Sequence, residues 1–346
     1  MNKLPTGIVH RASGRYWARM WRDGVSYGCG THDTIEAAVA ARQAEIARVD
    51  QRVAGPEWEA RGIPAGEALV DEDTVYHRAV AEYRATARLE LRQRQQELIF
   101  TAPYVALVFM GDLHLGSPGT DIERVFAEAE LVVSTPNAYV VTMGDLIDNF
   151  VLGKLRQARD NHRLAVTDEW VLVRRFMRKI APRWPLAVGG NHDAWGELLL
   201  GVDVMRDQVA TLAPKVLYQA HDAHVRLTVA GHDFPGRIRH RWRGYSIYNL
   251  THGIERAAKW DQDFIWAAGA HTHASGVARG INIGGMSGIA VLCGSYKRID
   301  PYSIAGGFPR PNESTAVGIL FDAASHSMTG FESLDMLANV MRALAR

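Results

Sequence analysis

The stretch YVALVFMGDLH, residues 104–114, joins an apolar run typical of a buried strand to an Asp-x-His pair, Asp112 and His114. Similar apolar runs precede other polar residues, at Tyr139–Met143 before Asp145, Leu186–Val188 before Asn191 and Phe264–Ala268 before His271. Open α/β sheets place their sites at the carboxyl ends of strands, so these polar residues are expected to converge on one site.

The residue types at these positions are those that bind divalent metal ions. Asp112 and His114 lie two apart on a segment expected to be extended, so both side chains would point to the same side. The further donors are a carboxylate able to bridge two ions, an amide oxygen and a pair of imidazoles: Asp145, Asn191, His271 and His273. This oxygen and nitrogen set favours two Mn²⁺ ions, with Fe, Zn²⁺ or Ni²⁺ as alternatives, over Mg²⁺ alone. Two such ions would polarise a phosphoryl group and activate a bridging water.

Each motif alone also has an ordinary structural interpretation. Asp-x-His can cap the end of a strand, and Gly-Asp can form a turn. Asn-His-Asp can form an Asx turn, and His-x-His can lie on a solvated strand. Five motifs in one order, nearly all of them after apolar runs, favour a shared metal site instead.

Together the motifs resemble the signature of the calcineurin-like metallophosphoesterases, over roughly residues 104–275. The one departure is Ala270, where the family usually has glycine directly before the first histidine of His-x-His. The resemblance implies an α/β fold, a four-layer α/β/β/α sandwich. It implies that Asp112, His114 and His273 hold the first ion and that Asn191, an isolated histidine and His271 hold the second. Asp145 would bridge the two ions.

The resemblance also implies a catalytic pair. His192 would be no ligand but would face the scissile phosphate, where it stabilises the oxyanion or protonates the leaving oxygen. Asn191 would help to steady the charge that develops during in-line attack by water.

The isolated histidine is open among three candidates, His240, His252 and His232. His240 is favoured because the segment Arg239–Asn249 looks like the corresponding segment of phage-encoded family members, in which the histidine follows a strand.

Gly294–Arg298 resembles a loop of the same phage branch, and Lys297 and Arg298 would contact substrate phosphates there. This branch implies a phage or prophage gene that acts in a bacterial cytoplasm, in replication, repair or recombination.

The N-terminal residues predict three short strands, Ile8–Arg11, Tyr16–Trp21 and Val25–Cys29, and then an alanine-rich helix from Thr34 to about Val53. Through residue 30, five basic residues oppose one acidic residue. Residues 6–48 resemble the APETALA-type DNA-binding domain, a three-stranded sheet backed by one helix.

The candidate DNA-binding residues of this module are three arginines and a tryptophan: Arg11, Arg15, Trp17 and Arg19. Because Arg15, Trp17 and Arg19 alternate along a strand, they would share one face that can enter the major groove. The alternative is a solvated strand face with Trp17 in a small core.

The sequence divides into three parts: residues 1–52 as the DNA-binding-like domain, 53–100 as a linker and connecting helix, and 101–346 as the phosphoesterase domain. Gly55-Pro56 and Gly62–Gly66 indicate the linker, and a charged helix is expected over Asp73–Phe100. A coiled-coil dimer through this helix is an alternative, although its apolar spacing is too irregular for heptads; the oligomeric state stays open.

Further helices are expected over Asp121–Val133, Thr167–Ile180 and Gly201–Leu212, and a second sheet is expected within residues 225–292.

The composition argues against a membrane protein or a secreted protein and excludes no other class of protein. The 346 residues carry a net charge of +1 and are 47% hydrophobic, as in ordinary globular proteins. Cys29 and Cys293 match no metal or redox spacing, which favours a reducing cytoplasm. There is no apolar signal core and no run near the ~20 apolar residues needed to cross a bilayer, so no membrane partner is expected.

The expected function is hydrolysis of phosphodiester bonds in DNA, as an exonuclease or endonuclease. One alternative is a phosphatase or cyclic-nucleotide phosphodiesterase that acts on small nucleotides, and the other is a DNA-binding regulator whose second domain is only a scaffold. The basic segment Phe150–Arg163 is the candidate wall or lid that would distinguish a DNA cleft from a closed pocket.

Overall fold

The computed structural model describes residues 4–22, 25–54, 71–149, 163–244, 246, 248–261, 263–283, 286–298, 304 and 314–346. The chain forms two compact units, Met1–Arg78 and Ala79–Arg346. None of the helices within the described ranges is both long enough and apolar enough to span a membrane.

The first unit contains a three-stranded antiparallel sheet and a helix that packs on it. The strands follow one another across the sheet as β1 (Ile8–His10), β2 (Tyr16–Arg22) and β3 (Val25–His32). Helix α1 (Ile35–Ala54) begins after Thr34, whose hydroxyl oxygen accepts a hydrogen bond from the Ala37 amide at 3.2 Å. The predicted strands and helix of this unit are confirmed.

Helix α2 (Glu72–Arg94) matches the prediction only in part, because Gln95–Phe100 forms strand β4 rather than the end of a helix. This strand pairs in parallel with Asp222–Val229, and Leu98 is buried in the hydrophobic layer between two sheets. Pairing and burial outweigh the helix propensity of the glutamines and glutamate in β4, a tertiary effect that local sequence does not report.

The second unit continues with strands and helices in alternation. Its described elements from residue 104 to residue 219 include β5 (Tyr104–Met110), α3 (Ile122–Ser134), β6 (Ala138–Thr142), α4 (Val166–Ile180), β7 (Leu186–Val188), α5 (Asn191–Leu200), α6 (Val204–Leu212) and β8 (Leu217–Gln219). Those after residue 221 include β9 (Asp222–Val229), β10 (His232–Arg239), α7 (His252–Asp261), β11 (Trp266–Gly269), β12 (Gly276–Ile283), β13 (Met286–Leu292), β14 (Val317–Asp322), β15 (Ser327–Phe331) and α8 (Leu334–Leu344).

Two six-stranded sheets form the centre of this unit, with strand orders β15-β14-β5-β6-β7-β8 and β12-β13-β11-β10-β9-β4. Successive residues of β5 face opposite ways: Leu107 packs between the sheets, near Trp266 of the second sheet, whereas Val108 packs toward α3, α4 and α8. On the outer face of the second sheet, Ile254 of α7 packs against Ala267. The fold is therefore a four-layer α/β/β/α sandwich, and the predicted fold class and second sheet are confirmed.

The helices around the first sheet agree with the prediction except near residue 200. Helices α3 and α4 confirm the first two predicted segments. The third is wrong at its start, because Gly201 (φ 69°) ends α5 and the Asp203 carboxylate caps α6 through the Arg206 amide at 2.9 Å. Helix α5, which no predicted segment covers, begins at Asn191 and therefore brings a helix N-terminus to the predicted site.

Candidate metal centre

The seven candidate metal ligands lie directly after five strands of the sandwich. They are Asp112 and His114 after β5, Asp145 after β6, Asn191 after β7, His240 after β10, and His271 and His273 after β11. The first three strands belong to one sheet and the last two to the other. The candidate site therefore lies where strand ends of both sheets meet.

Five of these seven residues have a left-handed backbone, which residues other than glycine rarely adopt. The φ angles are 48° at Asp112, 45° at His114, 52° at Asp145, 72° at His271 and 57° at His273. The expectation of an extended segment at Asp112 and His114 is therefore wrong, although both side chains reach one site. Each such conformation costs on the order of 1–3 kcal/mol, and strain of this kind concentrates at functional sites.

The first cluster contains Asp112, His114 and His273. Nε2 of His273 lies 3.2 Å from Nε2 of His114 and 3.6 Å from Oδ1 of Asp112. Oδ2 of Asp112 accepts a hydrogen bond from the His271 amide at 2.7 Å, whereas the buried Oδ1 has no hydrogen-bond partner among the described residues. A buried carboxylate oxygen without a donor is costly unless a cation lies beside it, so this cluster fits a metal ion.

The second cluster contains Asp145, Asn191, His240 and His271. Nε2 of His240 lies 3.2 Å from Oδ1 of Asn191, 3.3 Å from Oδ2 of Asp145 and 3.2 Å from Nδ1 of His271. Nδ1 of His240 donates to the Met143 carbonyl oxygen at 2.7 Å, so Nε2 of the neutral ring carries a lone pair. Because lone pairs and oxygens converge at Nε2, either a proton or a metal ion must lie there.

The carboxylate and imidazoles of this second cluster shift one another's pKa. Burial favours a neutral His240, but the Asp145 carboxylate outweighs it and raises the pKa of His240 to about 10. Burial also opposes ionisation of Asp145, yet the imidazoles of His240 and His192 hold the pKa of that carboxyl well below its usual range. A proton on His240 and a metal ion would therefore compete for the same position.

Asp145 is shared by two groups of potential ligands, one with His114 and His192 and one with His240 and His271. It therefore has partners on both sides, as a bridging carboxylate requires.

The close approach of β6 and β7 fixes Asp145. The Asp193 carboxylate accepts hydrogen bonds from the amides of Asp145 (2.8 Å), Leu146 (3.0 Å) and Gly190 (2.9 Å). A Cβ at Gly190 would lie 2.1 Å from Oδ1 of Asp145, so only glycine fits there. Asp193 therefore ties the backbone at Asp145 to the backbone at Gly190.

His192, the predicted catalytic residue, borders both clusters. Its amide donates to Oδ1 of Asp145 at 2.8 Å, and its Nδ1 donates to the Asp148 carbonyl oxygen at 2.6 Å. Its Nε2 lies 4.0 Å from Oδ2 of Asp145, and its ring meets the His114 ring edge-on with the centroids 4.6 Å apart. Burial lowers the pKa of His192 to about 4. Its position is compatible with contact to a bound phosphate and also with metal ligation.

Two residues that sequence reasoning missed support the first cluster. Oδ1 of Asp148 lies 3.0 Å from Nδ1 of His114 and 3.2 Å from Nζ of Lys297. Asn149, with φ 45°, donates from Nδ2 to the His192 carbonyl oxygen at 2.9 Å. The acidic and amide pair three and four residues after Asp145 was the available signal. The Lys297 ammonium is buried against Asp148, and its expected contact with substrate phosphates stays a prediction.

Only one of the three histidines considered for the isolated position lies among the candidate ligands. His240 is buried between Asp145 and Asn191. His252 is exposed at the start of α7, and His232 begins β10 with its ring 5.3 Å from that of His326. A position directly after the carboxyl end of a strand separates His240 from the other two.

The surface next to the second cluster is basic. Arg241 and Arg243 are exposed and follow His240 directly. Burial, together with the charges of His240 and Arg241, lowers the pKa of His271 to about 4. The segment Phe150–Arg163, the candidate wall or lid, lies outside the described residues except for Arg163.

In the first unit, three of the four candidate DNA-binding residues form one group. The guanidinium carbons of Arg11 and Arg19 lie 4.9 Å and 5.3 Å from the ring centroid of Trp17. Arg15 instead pairs with Asp33 at 2.7 Å.

The small core of this unit consists of Ile8, Ala18 and Ala38, with Tyr16, Cys29 and Val39 against it. Trp17 is absent from that cluster, which removes the alternative of a core tryptophan. Trp21 on the same strand is 63% exposed.

Comparisons with known proteins find solved structures of low similarity to this chain. No family model and no curated protein matches the sequence. Similar solved structures include a metallophosphoesterase from Sphaerobacter thermophilus, 15% identical over 66% of this chain and 87% of that chain, with a TM-score of 0.35. Vps29 from Chaetomium thermophilum is 15% identical over 63% and 79%, with a TM-score of 0.33, and the nuclease MPE from Pseudomonas putida is 11% identical over 65% and 87%, with a TM-score of 0.29. Similarity at this level carries no argument about activity, so the chemistry is inferred from the residues of the site.

Proposed function

We propose that this protein is a phosphoesterase that uses two divalent metal ions, and that it hydrolyses phosphodiester bonds in DNA. The observation that carries the proposal is the position of Asp145, whose carboxylate lies within ligand distance of His114 and His192 and also of His240 and His271. His114 in turn belongs to the cluster with Asp112 and His273. A core packed for stability alone has no use for a buried carboxylate oxygen without a donor or for strained backbone at five polar residues.

The residues that would hold the ions follow from the two clusters. Asp112, His114 and His273 would hold one ion and Asn191, His240 and His271 the other, with Asp145 between them. When bound, such ions supply Lewis-acid polarisation of a phosphoryl oxygen and a water of lowered pKa. The mixed oxygen and imidazole set favours Mn²⁺, with Fe, Zn²⁺ and Ni²⁺ as alternatives.

His192 would move the proton that the leaving group needs. Its Nδ1 is committed to the Asp148 carbonyl oxygen, so Nε2 is the atom that faces a substrate. Burial keeps this imidazole neutral in the free protein, but a phosphate anion beside it would favour the protonated form. Nε2 could then donate to the leaving oxygen, while the Asn191 amide orients the phosphoryl group.

DNA is favoured over a small nucleotide by the basic surfaces of both units. Exposed Arg241 and Arg243 follow His240 directly, where they can pair with phosphates on either side of the scissile bond. In the first unit, Arg11 and Arg19 flank Trp17 on a partly exposed sheet face, an arrangement suited to phosphates and base edges. We further propose a phage or prophage origin and, from two free cysteines, a reducing cytoplasm.

A nuclease and an enzyme for small nucleotides can be separated with one set of substrates. The protein with Mn²⁺ is incubated with linear and circular DNA, each single- and double-stranded, and with bis-p-nitrophenyl phosphate in parallel. Cleavage of DNA supports the nuclease, and cleavage of linear forms alone makes it an exonuclease. Hydrolysis of the chromogenic diester with all DNA intact would favour the small nucleotide substrate, and no hydrolysis at all would refute the phosphoesterase.

A further inference from the structure

Trp195 packs its indole ring against the imidazole of His192. The two ring centroids are 3.9 Å apart and the ring planes are inclined by 31°. Trp195 lies three residues after His192 on α5, a spacing that places side chains side by side on a helix. Sequence motifs single out Asn191, His192 and Asp193 but not this tryptophan.

Other contacts restrain the rest of His192. The backbone is held by the hydrogen bond from its amide to Asp145 at 2.8 Å, and Nδ1 is held by the Asp148 carbonyl oxygen at 2.6 Å. The ring edge meets His114 with a centroid separation of 4.6 Å. These contacts hold the backbone, Nδ1 and one edge of the ring. The Trp195 indole adds a restraint from the face of the ring, because a tilt of the imidazole plane toward the indole would bring the two rings into collision.

We propose that Trp195 is a positioning residue, which fixes the imidazole plane of His192 so that Nε2 meets the leaving oxygen of a phosphodiester. The inference rests on the proposed phosphoesterase function. As water forms the new P–O bond and releases one proton to solvent, the old P–O bond breaks. The leaving oxygen takes the Nε2 proton of the His192 imidazolium, and the neutral ring regains a proton from solvent.

If Trp195 positions the proton donor, the loss of rate in its variants should depend on the leaving group of the ester. General damage to the fold would not cause such a dependence. A p-nitrophenolate leaves as a stabilised anion and needs little help from an acid. A phenolate is more basic and gains more from a well-placed proton donor. Loss of the indole should therefore slow the phenyl ester much more than the p-nitrophenyl ester.

The test compares kcat for a series of methyl aryl phosphates, from p-nitrophenyl to phenyl, in the Mn²⁺-loaded protein. The variants are Trp195→Ala and Trp195→Phe, with Trp195→Leu as a second variant that keeps volume without a ring. Trp260→Ala is the matched control, because Trp260 lies on α7 and is 82% exposed. Metal content is measured for every variant, so that loss of an ion is not mistaken for loss of the proton donor.

We expect Trp195→Ala and Trp195→Leu to lower kcat for the phenyl ester by about 10-fold or more, as misplacement of a general acid should. The p-nitrophenyl ester should change by less than about 3-fold, Trp195→Phe should restore most of the phenyl rate, and Trp260→Ala should match the unaltered protein. An equal loss of kcat on both esters, or no loss of kcat on the phenyl ester, would overturn the positioning role and leave the proposed phosphoesterase function in place. If the unaltered protein hydrolyses no ester of the series, the proposed function fails and this inference with it.

A second readout does not depend on activity. In the metal-free protein, the ring current of a stacked indole should shift the NMR signal of the His192 Cε1 proton upfield. The signal should return toward its ordinary position in Trp195→Ala and stay in place in Trp260→Ala. An unchanged signal in Trp195→Ala would show that the rings do not stack in solution and would overturn the inference.

Discussion

Nε2 of His240 lies 3.3 Å from Oδ2 of Asp145, although His240 follows a strand of the second sheet and Asp145 a strand of the first. This contact joins the two sheets at the candidate site. It also brings a carboxylate to an imidazole nitrogen whose ring partner, Nδ1, is already committed to the Met143 carbonyl oxygen. The pair therefore binds either a proton or a metal ion, and the first predictions concern that choice.

Asp145→Asn should abolish metal-dependent hydrolysis of bis-p-nitrophenyl phosphate, with a loss of at least about 100-fold, because the amide cannot serve two ions. Circular dichroism should show the fold retained. Asp233→Asn is the control, since Asp233 pairs with Arg226 on an exposed part of the second sheet. Unchanged activity in Asp145→Asn would refute the dimetal mechanism.

Alanine substitutions at three histidines should differ in metal content. His240→Ala should bind one Mn²⁺ ion fewer than the unaltered protein, because Nε2 of His240 lies 3.3 Å from Oδ2 of Asp145. His252→Ala and His232→Ala should keep the full complement. Inductively coupled plasma mass spectrometry after removal of unbound metal measures the difference, and an ion lost from His252→Ala would show that another histidine is the ligand.

Metal binding should release protons and weaken as the pH falls. His240, with its pKa raised to about 10, must lose a proton to bind an ion, and Asp112, with its pKa raised to about 6 by burial, becomes protonated in mildly acidic solution. Protons and metal ions compete for the same atoms, so Mn²⁺ affinity should drop between about pH 8 and about pH 6. Calorimetric titrations in buffers of different ionisation enthalpy give the number of protons released. An affinity independent of pH would contradict the arrangement.

The exposed face of the first unit should contribute to DNA affinity. Arg11→Ala together with Arg19→Ala should raise Kd for duplex DNA by about 10-fold and reduce the salt dependence, because fewer phosphates are neutralised. The control is Arg48→Ala on α1, where the arginine pairs with Glu45. Fluorescence anisotropy at two salt concentrations measures both effects. Equal affinity in all three proteins would assign this face another role.

A buried ion pair on β9 and β10 should stabilise the strand that leads to His240. Asp222 accepts from Nη2 of Arg237 at 2.9 Å and lies 3.1 Å from Nη2 of Arg239. Burial opposes its ionisation, but the nearby His224 imidazole and the hydrogen bonds from Arg237 lower the pKa of Asp222 below its usual range.

Because that pKa is lower in the folded state, the stabilisation is complete above the unfolded value of about 4 and is lost as the pH falls through the folded value. Asp222→Asn should therefore lower the free energy of unfolding by about 3 kcal/mol near pH 7. The difference from the unaltered protein should shrink below about pH 4, as urea unfolding can measure. A difference that stays constant with pH would contradict the ion pair.

The sequence allowed prediction of the strands and of the residues that follow them, because apolar runs and polar ends are local signals. Tyr104–Met110 and its Asp112 show this most clearly. Strand β4 could not be predicted, since its pairing with β9 is a contact between distant segments. Asp148 has a local signal, its position three residues after Asp145, but its contacts with His114 and Lys297 join segments that are distant in sequence. The left-handed backbone at Asp112 and His114 could not be predicted either, because the spacing of residues in a motif does not determine their φ angles.

Anomalous diffraction from a crystal of the protein grown with Mn²⁺ tests the two-metal site itself. We expect two anomalous peaks on either side of Asp145, one coordinated by Asp112, His114 and His273 and the other by Asn191, His240 and His271. A single peak, no peak at Asp145, or an ion ligated by His192 in place of these residues would contradict it.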